Sequence, residues 1–263
     1  MTALASYLQA RSQGGSWHIR IEDIDPPREV AGAAIDIVET LGAFGLHSDS
    51  PVLMQRSRIG SYRQALDKLA NADLAFLCAC TRGQLAGRAH SGKCSSPNYS
   101  TAAWRLRVAG GVVSFTDTLQ GAHAQDVAGE VGDFVLFRAD GWPTYQLAVV
   151  VDDAAQNITE VVRGADLLAS TPRQIYLQRC LSLPQLGYVH LPLVLDPLGN
   201  KLSKQNLAPA ISRSAVLSRL RKALEFLGQD SDGLGRFRYP GPLLVEAAQR
   251  WSLALIDPRS RQG

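Results

Sequence analysis

Two hydrophobic periods take turns along the chain. Leu4, Tyr7 and Leu8 stand three and four apart on strong helix formers, and the stripe stops at Gly14-Gly15, so the pattern predicts an opening helix with a glycine end. Trp17-His-Ile-Arg-Ile21 then alternates like a strand until Pro26-Pro27 forbids further pairing. The helical period returns over 28–45 and 57–70, the second with Ile59, Tyr62, Leu66 and Leu69 on one face. Short strand-like runs follow at 104–108, 112–116 and 133–138. Gly141-Trp-Pro-Thr144-Tyr145 opens a helix over 146–153, with Tyr145 facing a cleft. Residues 158–163 read as a strand, Gly164-Ala-Asp166 begins the next helical pattern, and 174–183 is amphipathic. An apolar strand-type run from His190 is broken by Asp196-Pro and Gly199-Asn. A helix over about 214–227, a glycine-rich turn at 230–235 and an amphipathic piece ending near Leu255 complete the chain.

Strands alternating with helices predict an α/β fold with a doubly wound parallel sheet. We divide it into a first half of a nucleotide-binding fold (1–75), a small inserted subdomain (76–140), a second half (141–206) and a helical C-terminal segment (207–263).

A chain of 263 residues can bury one large core and a small insert. Its net charge of +3 permits a nucleic-acid partner without arguing for one. No apolar run reaches the roughly 20 residues that span a bilayer, and the start lacks a signal-peptide pattern, so a cytoplasmic protein without membrane contact is expected. Of four cysteines, three fall within 78–94, which suits a reducing compartment and a metal better than a disulfide framework.

That cluster reads Cys78-Ala-Cys80, nine residues, His90, three residues, Cys94. Three thiolates and an imidazole make a plausible tetrahedral set for one structural zinc, since four protein ligands leave no place for water. The alternative is a group of inert cysteines beside a surface histidine. Cys180, in an amphipathic stretch, reads as a small core residue. Trp104 and Trp142 read as core rather than as base-stacking platforms.

Three further places carry candidate chemistry. Lys201-Leu-Ser203-Lys204-Gln205 puts two ammonium groups and a hydroxyl on a loop suited to phosphate, with a solvated basic loop as the bland alternative. Glu22, Asp23 and Asp25 follow a strand, where α/β sheets bind ligands, although acidic turns are common. Arg163 also ends a strand; it and Tyr145 are either site residues or a surface ion pair and a core tyrosine.

Taken in order, Arg20-Ile-Glu22-Asp23-Ile-Asp25-Pro-Pro-Arg28, Tyr145 to Asp153, Val162-Arg163-Gly164-Ala165-Asp166 and the loop from Lys201 to Gln205 resemble the glutamyl branch of class I aminoacyl-tRNA synthetases. The resemblance covers nearly everything up to Asn206. It implies a Rossmann-like class I synthetase domain, a ligase, with the insert as an acceptor-side subdomain tied by zinc. Residues 201–205 look like the family's Lys-Met-Ser-Lys-Ser loop. Glu22 would bind the α-ammonium of L-glutamate, and Tyr145 and Arg163 would contact the substrate, Arg163 through a carboxylate. Lys204, the ATP ligand, helped by Lys201 and Ser203, would neutralise the phosphates of ATP, with Mg2+ accompanying the nucleotide. In the family the metal spacing is Cys-x-Cys and then commonly Tyr-x-x-x-Cys. His90 stands at the tyrosine position here, which should strengthen binding, and the loop before it is shorter than usual.

After Asn206 the chain is too short for a helical anticodon-binding domain. The resemblance therefore implies the members that activate glutamate without tRNA and attach it to queuosine in the anticodon of tRNA(Asp), working as monomers. The alternatives are a catalytic fragment of an ordinary glutamyl-tRNA synthetase, a non-catalytic tRNA-binding remnant, and an unrelated nucleotidyltransferase. In the family the first helix is preceded by a strand and a His-x-Gly-His turn, with an arginine and a serine for the amino acid. The sequence as given opens on the helix. A start codon assigned too far downstream is the expectation, with Arg-x-Ala-Pro-Ser-Pro and His-x-Gly encoded in frame upstream; a natural truncation would leave a buried sheet edge unpaired.

Overall fold

The computed structural model describes residues 1–80, 82–85, 89–90, 102–199 and 211–262. Helix α1 (Thr2–Ser12) buries Leu4, Ala5 and Leu8 on one side. It ends where Gly14 takes φ +66° and the N–H groups of Gly14 and Gly15 return to the carbonyls of Arg11 and Ala10, the left-handed stop that glycine permits.

Strand β1 (Arg20–Ile21) pairs in parallel with β2 (Leu53–Met54), the crossover passing through α2 (Ala33–Ala43). Ladder pairing is shorter than the 17–21 alternation predicts, although Trp17 and Ile19 still accept N–H bonds from Asp49 and Leu53. Helix α2 also starts later than expected. Pro26 and Pro27 lie in a 3-10 turn, Pro26–Arg28, and Gly32 at φ +79° caps the true start. Helix α3 (Ile59–Asn71) buries Tyr62, Ala65, Leu66 and Leu69, the face the spacing predicts.

Next come β3 (Ala75–Cys78), the short α4 (Arg82–Leu85), β4 (Ala103–Leu106), the hairpin β5 (Val112–Asp117) and β6 (Gly121–Asp126), and β7 (Val135–Phe137). β3, β4 and β7 form an antiparallel sheet in that order. In β5 exposed and buried residues alternate strictly, so Val113, Phe115 and Asp117 point inward.

Helix α5 (Tyr145–Ala155) leads to β8 (Glu160–Gly164); a 3-10 turn, Ala165–Ser170, and α6 (Thr171–Cys180) then cross over to β9 (Gly187–Leu191), parallel to β8 in register Arg163↔His190. β10 (Val194–Leu195) pairs in parallel with β11 (Arg261–Gln262). Helices α7 (Val216–Phe226) and α8 (Pro240–Arg250) close the chain. The expected α/β class with parallel pairing and helical crossovers is thus present, as separate two-stranded parallel ladders among the described residues.

Two cores hold these elements. One packs α3, α5 and α6 against β3, β4, β5 and β7, and the partly buried Trp104, Trp142 and Cys180 lie against it. The other joins α1 to β9, α7 and α8, so the C-terminal helices share a core with the start of the chain. There Trp251 Nε1 donates to Gln9 Oε1 across 2.8 Å. No helix among the described residues is long and apolar enough to cross a membrane.

Candidate active site and metal centre

Arg163, the fourth residue of β8, is only 7% exposed, and among the described residues no carboxylate forms an ion pair with it. Its partners are neutral: Nε donates to His190 Nε2 at 3.0 Å, Nη1 to the Tyr145 hydroxyl at 3.2 Å and Nη2 to Thr171 Oγ1 at 2.8 Å. A guanidinium carries five N–H groups, so one on Nη1 and one on Nη2 remain uncommitted. A buried cation whose terminal nitrogens each keep a free donor suits a two-pronged anion, the geometry at which arginine outperforms lysine.

Glu22 directly follows β1 and Arg163 is next to last in β8, both at the carboxyl ends of parallel strands, where such folds take ligands. Its side chain keeps an exposed face, yet the protein crowding around it raises its pKa, opposed by the charges of Arg20 and Arg163. Tyr145, the first residue of α5, is pushed up by burial and feels both Arg163 and Glu22. Glu22, Tyr145 and Arg163 therefore share one electrostatic neighbourhood, although only the last two are hydrogen-bonded.

Sequence reasoning assigned no role to the residues that build the floor. Arg20 is paired at 2.6 Å with Asp153, whose own pKa is raised because burial outweighs that pairing. Asp152 is fully buried and accepts from Gln55 Nε2 at 2.9 Å, from the Tyr62 hydroxyl at 2.6 Å and from Arg58 Nε. This carboxylate ties α3 and the turn before it to α5. The signal was present in the sequence, since two adjacent carboxylates close the apolar run Leu147 to Val151 on a helix.

Cys78, Cys80 and His90 come together, their ligand atoms all within 4.8 Å of one another. The ring is oriented from behind: His90 Nδ1 lies 2.9 Å from Asp133 Oδ2, which leaves Nε2 bare and 3.3 Å from Cys78 Sγ. Backbone pairing fixes the same residues, as Asp133 N–H donates to His90 O at 2.7 Å. Gly132 makes the approach feasible, because at φ +69° a Cβ there would stand 2.3 Å from His90 O. Two sulfurs and an imidazole fit zinc by donor type, and the carboxylate behind the ring orients it as metal-ligating histidines commonly are. The fourth expected ligand, Cys94, and the loop residues Lys201, Ser203 and Lys204 lie outside the described residues.

Comparison with known proteins gives the family and the fold. The family model described as tRNA synthetases class I (E and Q), catalytic domain, matches residues 1–108 and 101–223. A protein of Dechloromonas aromatica named glutamyl-Q tRNA(Asp) synthetase is 52% identical over 242 residues, 87% of this chain and 80% of its own length. One of the same name from Xanthomonas axonopodis pv. citri is 52% identical over all of this chain and 88% of itself, and one from Neisseria meningitidis is 47% identical over 96% of this chain and 90% of itself. Among solved structures, the glutamate-tRNA synthetase of Elizabethkingia anophelis superposes with a TM-score of 0.82 at 22% identity, a likeness of fold. All of this chain is covered, and it spans 64% of that synthetase's length.

Proposed function

The chain belongs to the class I tRNA synthetases of the glutamate and glutamine branch, and from that premise we propose that it activates glutamate with ATP and transfers it to queuosine in the anticodon of tRNA(Asp). The observation that carries the amino-acid part is Arg163, a buried guanidinium with two uncommitted N–H groups, no carboxylate partner among the described residues and a carboxylate, Glu22, in its field. Arg163, with Tyr145 beside it, grips a carboxylate of glutamate, and Glu22 takes the α-ammonium. The names of the relatives, which the chain matches over most of their length, support queuosine-bearing tRNA(Asp) as the acceptor.

In the activating step the α-carboxylate oxygen attacks the α-phosphorus of ATP, the bond to the bridging oxygen breaks and pyrophosphate leaves. Lys204, with Lys201 and Ser203, offsets the charge growing on the phosphates, work of electrostatics and positioning. Mg2+ accompanies the ATP. Transfer to queuosine then releases AMP. Cys78, Cys80 and His90, with Cys94 as the fourth ligand, hold one structural zinc that cross-links the base of the insert. A soluble, cytoplasmic monomer completes this reading.

The test is glutamate-dependent exchange of pyrophosphate into ATP with no tRNA present. Exchange with glutamate and none with glutamine is the predicted result; equal response to both would refute the assignment of Arg163 and Glu22.

A further inference from the structure

The arginine of the site is aimed by a segment that lies outside the parallel ladders. Asp117 ends β5, in the inserted hairpin, and is 1% exposed; His190 on β9 is 0% exposed. Oδ1 of Asp117 accepts the N–H groups of Leu119 at 2.9 Å, Gln120 at 2.8 Å and His190 at 3.2 Å, so the carboxylate cannot turn. Its Oδ2 stands 2.6 Å from His190 Nδ1. The hairpin turn is tied to β9 twice more, by Thr118 N–H on Tyr188 O at 3.0 Å and by Gln120 Nε2 on His190 O at 2.9 Å.

On the far side of the ring, Arg163 Nε approaches His190 Nε2 at 3.0 Å. The arginine nitrogen always carries its proton, so Nε2 must be the acceptor and the single ring proton sits on Nδ1, toward Asp117. Thr171 Oγ1 lies 3.2 Å from the same Nε2 and accepts a hydrogen bond from Nη2–H of Arg163. Imidazole and hydroxyl together thus occupy one edge of the guanidinium. The arrangement also places a buried negative charge one imidazole away from a buried positive one without consuming the donors that a substrate would need.

We infer that Asp117 and His190 are positioning residues for substrate recognition: the inserted hairpin selects the Nδ1–H form of His190, whose bare Nε2 anchors Arg163 with its two free N–H groups turned to a carboxylate. This rests on reading Arg163 as the ligand of a glutamate carboxylate. The hairpin is then part of the amino-acid site's machinery, and a change at Asp117 alters glutamate affinity through two intervening side chains.

The full chain, uniformly labelled with 15N, decides the orientation by long-range 1H–15N correlation of its imidazoles, with His190 assigned from its variants. The unaltered protein shows Nδ1–H and bare Nε2. In Asp117→Asn the amide donates to Nδ1, the proton moves to Nε2 and opposes Arg163 Nε–H; the expected result is an inverted tautomer and a glutamate KM raised at least about tenfold, with the KM for ATP unmoved. His190→Asn, too short to reach Arg163, raises the glutamate KM likewise, whereas His190→Gln, whose carboxamide oxygen can stand where Nε2 stood, restores most of it. General structural damage would instead lower kcat or raise both KM values. An Nε2–H tautomer in the unaltered chain, or an unchanged glutamate KM in His190→Asn, overturns the proposal. A correct tautomer in a chain without glutamate-dependent exchange upholds the positioning and condemns the functional reading instead.

Discussion

The hydroxyl of Tyr145 lies 3.2 Å from Nη1 of Arg163, one residue opening a helix and the other near the end of a strand. The pair makes graded predictions. Arg163→Lys keeps the charge and loses the fork, so kcat/KM for glutamate falls roughly 100-fold, on the order of 3 kcal/mol. Tyr145→Phe removes one hydrogen bond donated by the cation and costs about 10-fold. Steady-state kinetics at varied glutamate measures both, and an Arg163→Lys enzyme with normal kcat/KM would contradict the role given to the guanidinium.

The pH dependence has a definite sign. The protein crowding around Glu22 raises its pKa above the ordinary carboxylate value, and an ammonium needs its ionised form. As pH falls through that raised pKa, Glu22 takes up a proton and kcat/KM for glutamate drops. Glu22→Gln lowers kcat/KM at every pH and abolishes the acid limb. A limb that persists in Glu22→Gln would place the titration elsewhere.

The metal centre predicts a stoichiometry and a hierarchy. Purified protein carries about one zinc per chain, and Cys78→Ser or Cys94→Ser releases it. Asp133→Asn, which loosens His90 and can keep the oxygen that accepts from Val108 N–H, weakens zinc binding about 10- to 100-fold in competition with a chromogenic chelator. Full zinc content in Cys94→Ser would remove that residue from the ligand set.

Asp152 supplies a stability prediction independent of function. With exposure of 0% it satisfies three donors, so Asp152→Ala strands Arg58, Gln55 and Tyr62 and costs about 3–5 kcal/mol. Tyr62→Phe removes one bond to a charged acceptor and costs about 1.5–3 kcal/mol. Urea unfolding checks both, and an Asp152→Ala protein as stable as its parent would mean that the cluster is dispensable.

Local periodicity made much of this legible. The face of α3, the stripe of α1, the span of α5 and the two cysteines with His90 were all readable, because each depends on residues a few positions apart. What depended on distant partners was not. β6 carries no large apolar residue, only Gly-Ala-His-Ala-Gln-Asp, and exists because β5 pairs with it. The 28–45 pattern overran the true start of α2, since the amphipathic period continues through residues that Gly32 and the prolines hold out of the helix. Asp117 and His190 are 73 residues apart, and nothing in either neighbourhood announces the other. A lone histidine opening an apolar strand run is a signal only once its partner is known.

The central claim is tested most directly by incubating the full-length gene product with ATP, labelled glutamate and tRNA(Asp) that carries either queuosine or unmodified guanosine, and locating the label after nuclease digestion. We predict label on the queuosine-bearing tRNA alone, in the anticodon fragment and absent from the 3′-terminal adenosine. Label on the 3′ end, or equal labelling of both tRNAs, would contradict the account and identify an ordinary aminoacylating enzyme.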